Sequence, residues 1–353
     1  VGHGVEFLLH VVKVVREAGA IPVERAEPAV PTVAPEDEIT VQYAPIPLES
    51  LRLDTVTSFK IYIRASQERE PVLYRAEDLP FTERVKERLL EHDIEHIYID
   101  RTDRAKYQKY IEDNLHEIIA DKTIAPKQKA GIVYSSATFL MEQLFENPFL
   151  GTNIRRGEKL VTNTVGFILR DDRAFRNLLA VTSYDYYTYT HSVNVCVFSV
   201  ALAQKLGLGD TSDLITLGIG ALLHDIGKSL IDKSIIRKKG PLNDEEWTII
   251  RKHPVFGVEI LRKAGNVPEE SYVVVNQHHE RCDGTGYPER LRKGSIHPYA
   301  KVSAIADVFD ALTTDRAYKG AVGSFAALNI MRSEIRAGLD RNMFRQFVLL
   351  MGA

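Results

Sequence analysis

The chain changes its hydrophobic period near Thr102. Before that point SFKIYIRA and PVLY, between Thr57 and Tyr74, alternate and are rich in β-branched and aromatic residues, which predicts two short strands. Phe81 to His92 follows helical spacing, and EHIYID, Glu95 to Asp100, predicts another strand. After Thr102 apolar residues recur every three or four positions. The spacing predicts helices over Lys106–Asp121, Pro126–Glu146, Arg155–Arg170, Tyr187–Leu206, Asp213–His224, Asp244–Ala264, Glu269–Glu280, Ala300–Thr313 and Phe325–Ala337.

The first 48 residues read differently. Val5, Leu8, Leu9, Val12 and Val15 share one helical face, which suits packing on a core or lying on a membrane surface. Glu6, His10 and Lys13 interrupt the segment, so it is neither a membrane span nor a good signal peptide. IPVERAEPAVPTVAPEDE and APIPL follow, where repeated proline favours an extended tether. The expected organisation is residues 1–48 as extension and linker, 49–122 as a small α/β regulatory module, and 123–353 as a helical domain. The fold class is mainly α, a helical bundle with an N-terminal α/β module. Inward side chains from several helices can share one site in such a bundle.

Composition changes this picture little. At 353 residues there is material for two cores. A net charge of -3 gives no general pull toward double-stranded nucleic acid or anionic membrane, so an anionic ligand would need local basic residues. Cys196 and Cys282 share no close-spaced motif, which fits a reducing cytoplasm and no disulfide framework.

The chemistry lies in the helical half. His191, His224, Asp225, His253, His278, His279 and Asp307 are spread over five predicted helices or helix ends. A lone buried histidine is usually a hydrogen-bonded core residue. Here His224–Asp225 ends the apolar run LGIGALLHD, and His278–His279 ends YVVVNQHH. Polar pairs at the edge of buried faces need compensation, and metals supply it. Lys228, in HDIGK, falls one turn beyond His224 and Asp225 and could hold a phosphate beside a metal, although a lone lysine reads as solvated surface. Gly227 is expected to close the helix and admit a ligand to the backbone. Gly284, Gly286 and Pro288 mark a tight loop directly after the double histidine. Within it Asp283 either orients a histidine or braces the loop.

HDIGK, KHP, HHERCDGTGYP and ADVFDALTTDRAY, in that order, resemble the HD-GYP family of bacterial phosphodiesterases from about Tyr187 to Ala337. The resemblance implies an HD-type helical bundle and hydrolysis of cyclic di-GMP to pGpG, with many members continuing to GMP. It makes His191, His224, Asp225 and Asp307 ligands of one metal, with Asp225 bridging to a second held by His253, His278 and His279. Lys228, Arg316 and Lys319 match phosphate-contacting positions, and Tyr287 lines the substrate pocket. Asp225 and Lys228 are the expected catalytic groups. The implied cofactors are two transition-metal ions, iron or manganese, activating a bridging hydroxide. The implied partners are cyclic di-GMP and a diguanylate cyclase domain met through the GYP loop, and an oligomer is compatible.

Trimetallic members carry a glutamate where Tyr187 stands. A phenol with a pKa of about 10 is a poor ligand when neutral, and Asp185 falls on another helical face, so two metals are expected. The proline after the DR pair is Ala317, and the tail motif is degraded in GLDRNMF. Two other readings stay open: the same metal chemistry on another cyclic dinucleotide or nucleotide phosphate, and a non-enzymatic module that binds a ligand or partner.

Overall fold

A computed structural model describes residues 42–64, 70–170, 173–182, 188–238, 240–314, 322–333 and 337–352. The chain divides into two compact units, with the boundary after Ser136.

In the first unit an antiparallel sheet has the order β1-β6-β3-β4, with β1 Tyr43–Pro47, β3 Ile61–Ile63, β4 Val72–Arg75 and β6 His96–Asp100. A small second ladder pairs β2, Thr55–Val56, with β5, Pro80–Phe81. The predicted strands and the helix α1, Glu83–Leu90, are present. Strand β1 was not expected, because it lies in the stretch read as a tether. Pro45 and Pro47 cannot donate to a ladder, yet among the described residues β1 is an edge strand that pairs only with β6, Pro45 opposite Tyr98 and Pro47 opposite His96. Phe59, Ile61, Phe81, Leu89, Ile97 and Ile99 form the core. Phe59 meets Tyr107 and Tyr110 of α2, Arg104–Ala120, edge-on at 5.7 Å each. The next helix, α3, Pro126–Glu146, spans the sequence boundary.

The second unit is helical. After α4, Gly151–Arg170, and α5, Ala174–Leu179, comes α6, Thr188–Leu206, whose residues from Thr190 to Ala203 are all buried. A helix apolar on every side belongs in the middle of a bundle. It packs against α7, Thr211–Leu223, and α12, Pro298–Thr313. Phe198 of α6, Phe309 of α12 and Phe347 of α14, Arg341–Leu350, pack edge to face at 5.1–6.2 Å. Asp210 starts α7 with a capping box: its carboxylate accepts from Ser212 N and Asp213 N, and Asp213 accepts from Asp210 N.

Between these lie the short α8, Lys233–Ile236, then α9, Asp244–Ile250, α10, His253–Ala264, and α11, Glu269–Gln277; α13, Ser324–Ser333, follows α12. The pattern over Asp244–Ala264 predicts one helix; two are observed. Pro254 has no N–H to give to Ile250 O, so the helix breaks at Arg251–Lys252 and restarts with His253 at its first turn. No described helix is long and apolar enough to cross a membrane.

Candidate metal centre

All seven predicted ligands converge in the second unit. His191 on α6, His224 at the end of α7 and Asp307 on α12 bring ligand atoms within 4.8 Å of one another. Asp225, His253, His278 and His279 do the same beside them. Asp225 faces both groups. Its Oδ2 lies 3.5 Å from His224 Nε2 and 3.8 Å from His191 Nε2, while its Oδ1 lies 3.2 Å from His253 Nε2 and 3.9 Å from His278 Nε2. Asp307 spans the groups from the other side, 3.3 Å from His191 Nε2 and 3.6 Å from His279 Nδ1.

Helix ends fix the imidazoles. The last carbonyls of a helix have no partner within it. His224 Nδ1 takes Ala221 O at 2.7 Å, His278 Nδ1 takes Val275 O at 2.9 Å, and His253 Nδ1 takes Ile250 O at 2.7 Å. The last is the carbonyl that Pro254 left free. Each ring donates its one proton from Nδ1, so each Nε2 turns a lone pair into the site. His191 differs: its Nδ1 faces Asp310 Oδ2 at 2.6 Å.

Burial disfavours the charged form of three of these rings. It pushes His253, His278 and His279 below the ordinary imidazole value, most strongly His278 and His279. Burial alone would raise the Asp225 carboxyl, but Lys228 and His224 outweigh it and hold the group well below the usual range. Asp307 is raised by burial and lowered more by His191 and His279. The result is two buried carboxylates among five imidazoles, with His224 Nε2 buried and lacking any hydrogen-bond partner. A nitrogen–oxygen donor set with a shared carboxylate and no thiolate fits a pair of transition-metal ions.

Comparisons with known proteins identify the fold of this unit. Residues 173–343 match the HD domain family. The chain is 36% identical over 225 residues to a cyclic di-GMP phosphodiesterase of Pseudomonas aeruginosa, covering 63% of this chain and 54% of that protein. It is 31% identical over 246 residues to 3'3'-cGAMP-specific phosphodiesterase 3 of Vibrio cholerae, covering 66% and 51%. The chain thus spans about half the length of these curated relatives. A solved HDG"Y"P protein from Bdellovibrio bacteriovorus shares the fold, with a TM-score of 0.61 at 23% identity over 88% of this chain and all of that one. Residues 173–343 thus form an HD domain.

Two features of this HD domain line the centre from outside. Lys228 Nζ is paired with Asp225 Oδ2, from the turn Ile226–Leu230 that follows α7. Tyr287 is half-buried; its ring lies 4.7 Å from His279 and 6.4 Å from His253, and the Arg251 guanidinium sits over it at 5.7 Å. Arg316 and Lys319, read as phosphate contacts, lie outside the described residues, as do Asp185, Tyr187 and Ala317.

Gly227 lies beyond the end of α7 and has a packing role. It sits in a 3-10 turn and packs on the start of α10, where a Cβ would fall 2.0 Å from His253 O and 2.5 Å from Gly257 N. The close approach serves packing against the first turn of α10. Asp283 is exposed and braces the loop, accepting from Thr285 N and Oγ1.

The sequence reading missed three supporting residues. Glu280 is buried and accepts from Glu289 N at 2.6 Å and Leu291 N at 2.8 Å, pinning the loop that follows His279. Asp310 and Asn194 back His191. Their signal was spacing: each stands three residues after a proposed ligand, hence on its helical face.

Proposed function

We propose that this HD domain is a metal-dependent phosphodiesterase of the HD-GYP type that opens cyclic di-GMP to pGpG and carries some of it onward to GMP. The observation that carries the reading is Asp225 facing two donor groups with two different oxygens. His191, His224, Asp225 and Asp307 would hold one ion, and Asp225, His253, His278 and His279 the other. When bound, two such cations, iron or manganese, supply charge neutralisation of phosphate oxygens and activation of water. The chain's own groups do the rest. Asp225 and Asp307 keep the donors in register across both positions. Lys228, already beside Asp225, can turn its ammonium to a phosphate oxygen as charge develops there. Arg316 and Lys319 would contact the phosphates, and Tyr287 would form a wall of the pocket. A diguanylate cyclase partner met through the GYP loop, and an oligomer, rest on the family resemblance.

The Vibrio cholerae relative favours a second reading, in which the substrate is 3'3'-cGAMP. Protein purified anaerobically and supplied with Fe²⁺ or Mn²⁺ is offered cyclic di-GMP and 3'3'-cGAMP separately, and products are followed over time. Faster linearisation of cyclic di-GMP supports the first reading. Faster turnover of 3'3'-cGAMP supports the second. No turnover of either with both metals bound leaves a binding module.

A further inference from the structure

The two halves of the centre are not equivalent. His224, His253 and His278 each lean on a backbone carbonyl at 2.7–2.9 Å. His191 instead leans on a carboxylate, Asp310 Oδ2 at 2.6 Å. Asp310 is itself buried, and its other oxygen accepts from Asn194 Nδ2 at 2.8 Å. Both helices carry a ligand and its support three residues apart: His191 and Asn194 on α6, Asp307 and Asp310 on α12. These four side chains face each other across the packed pair of helices.

We propose that Asp310, braced by Asn194, makes the His191–His224–Asp307 group the tighter of the two cation positions, so that the two fill in order. The inference rests on the metal-centre reading above. A carboxylate behind an imidazole locks its tautomer and raises the basicity of the coordinating nitrogen more than a carbonyl does. Charge acts the same way. Asp225 and Asp307 both reach toward the two groups, Asp307 with one oxygen 3.3 Å from His191 and the other 3.6 Å from His279, so the carboxylate particular to the first group is Asp310 behind His191. Lys228 pairs with Asp225 Oδ2 on the first side and opposes a cation there, and Asp310 offsets that ammonium. Asp310 is a positioning residue: it acts on the ion through His191.

The test titrates Mn²⁺ into the metal-free chain of 353 residues and reads the free-ion EPR signal. Wild-type protein should show a tight and a weaker class of site. Asp310→Asn should weaken the tight class by about ten- to a hundred-fold and leave the weaker one in place. Asn194→Ala should move the same class by less. His191→Ala should remove the tight class and His253→Ala the weaker one, which decides the order even if Asp310→Asn fails to fold. Equal classes in wild type, a tight class that survives His191→Ala but not His253→Ala, or an Asp310→Asn effect shared equally by both classes would overturn the assignment. Absence of Mn²⁺ and Fe²⁺ binding in wild type would remove the metal-centre reading and this inference with it.

Discussion

His253 Nε2 and His278 Nε2 stand 3.2 Å apart, both buried. Each ring already donates from Nδ1 to a carbonyl, so in the neutral form two lone pairs face each other. A cation relieves this contact; so does a proton on one ring, at the cost of a charge in a buried place.

Metal removal should therefore make stability depend on pH. Burial lowers the folded-state values of His253, His278 and His279. In the unfolded chain they titrate at about 6.5. As pH falls through that value the unfolded state takes up protons that the folded state does not, so the metal-free protein loses stability. Denaturant midpoints of chelated protein should drop steadily from pH 8 to pH 5.5. The same midpoints at pH 8 should rise on adding Mn²⁺. A pH-independent midpoint in the chelated protein would contradict the neutral assignment.

Gly227→Ala should damage the centre without touching a ligand. The new Cβ would meet His253 O at 2.0 Å, and that atom belongs to backbone that cannot swing aside. Overpacking of this kind costs roughly 1–3 kcal/mol. Because the strain falls on the first turn of α10, metal bound by the His253 group should weaken as well. Chemical denaturation beside metal analysis checks both effects; a variant with unchanged midpoint and metal content would show that α10 yields freely.

The sequence made the cluster of donors legible because its motifs end helices. Apolar runs closing on His224–Asp225 and His278–His279 mark where buried faces give way to donors, and the structure brings those donors together. Strand β1 was illegible for a definite reason. Two prolines argue against a strand in general, and only the sheet order reveals an edge where their missing donors do not matter. The break before His253 was visible in Pro254 but was outweighed by helical spacing on both sides. Asp310 was hidden by its surroundings, since a carboxylate in ADVFDALT is ordinary until His191 is seen 2.6 Å away.

Metal stoichiometry should be near two per chain. Two donor groups are present among the described residues, joined through Asp225. The position where a third site would need a carboxylate is Tyr187 in the sequence. Elemental analysis of active, anaerobically prepared protein checks this. A reproducible value near three would require a ligand set beyond these seven residues.

Lys228 and Asp225 form an ion pair, yet their replacements should part company. Protonated lysine has no lone pair and cannot ligate a metal. Lys228→Ala therefore removes a competitor for Asp225 and should leave both ions bound. It also removes a charge-assisted hydrogen bond to a phosphate oxygen, on the order of 2–4 kcal/mol of transition-state stabilisation. That is a rate loss of roughly thirty- to a thousand-fold. Asp225→Ala deletes both oxygens that face the two donor groups. Asp307 reaches toward His191 and His279 but is not grouped with His253 and His278, so it should not restore the bridge. Asp225→Ala should lose at least one ion and all turnover. Metal content and turnover measured side by side separate the two roles. Full activity in Lys228→Ala, or two ions and turnover in Asp225→Ala, would reverse the assignment of that residue.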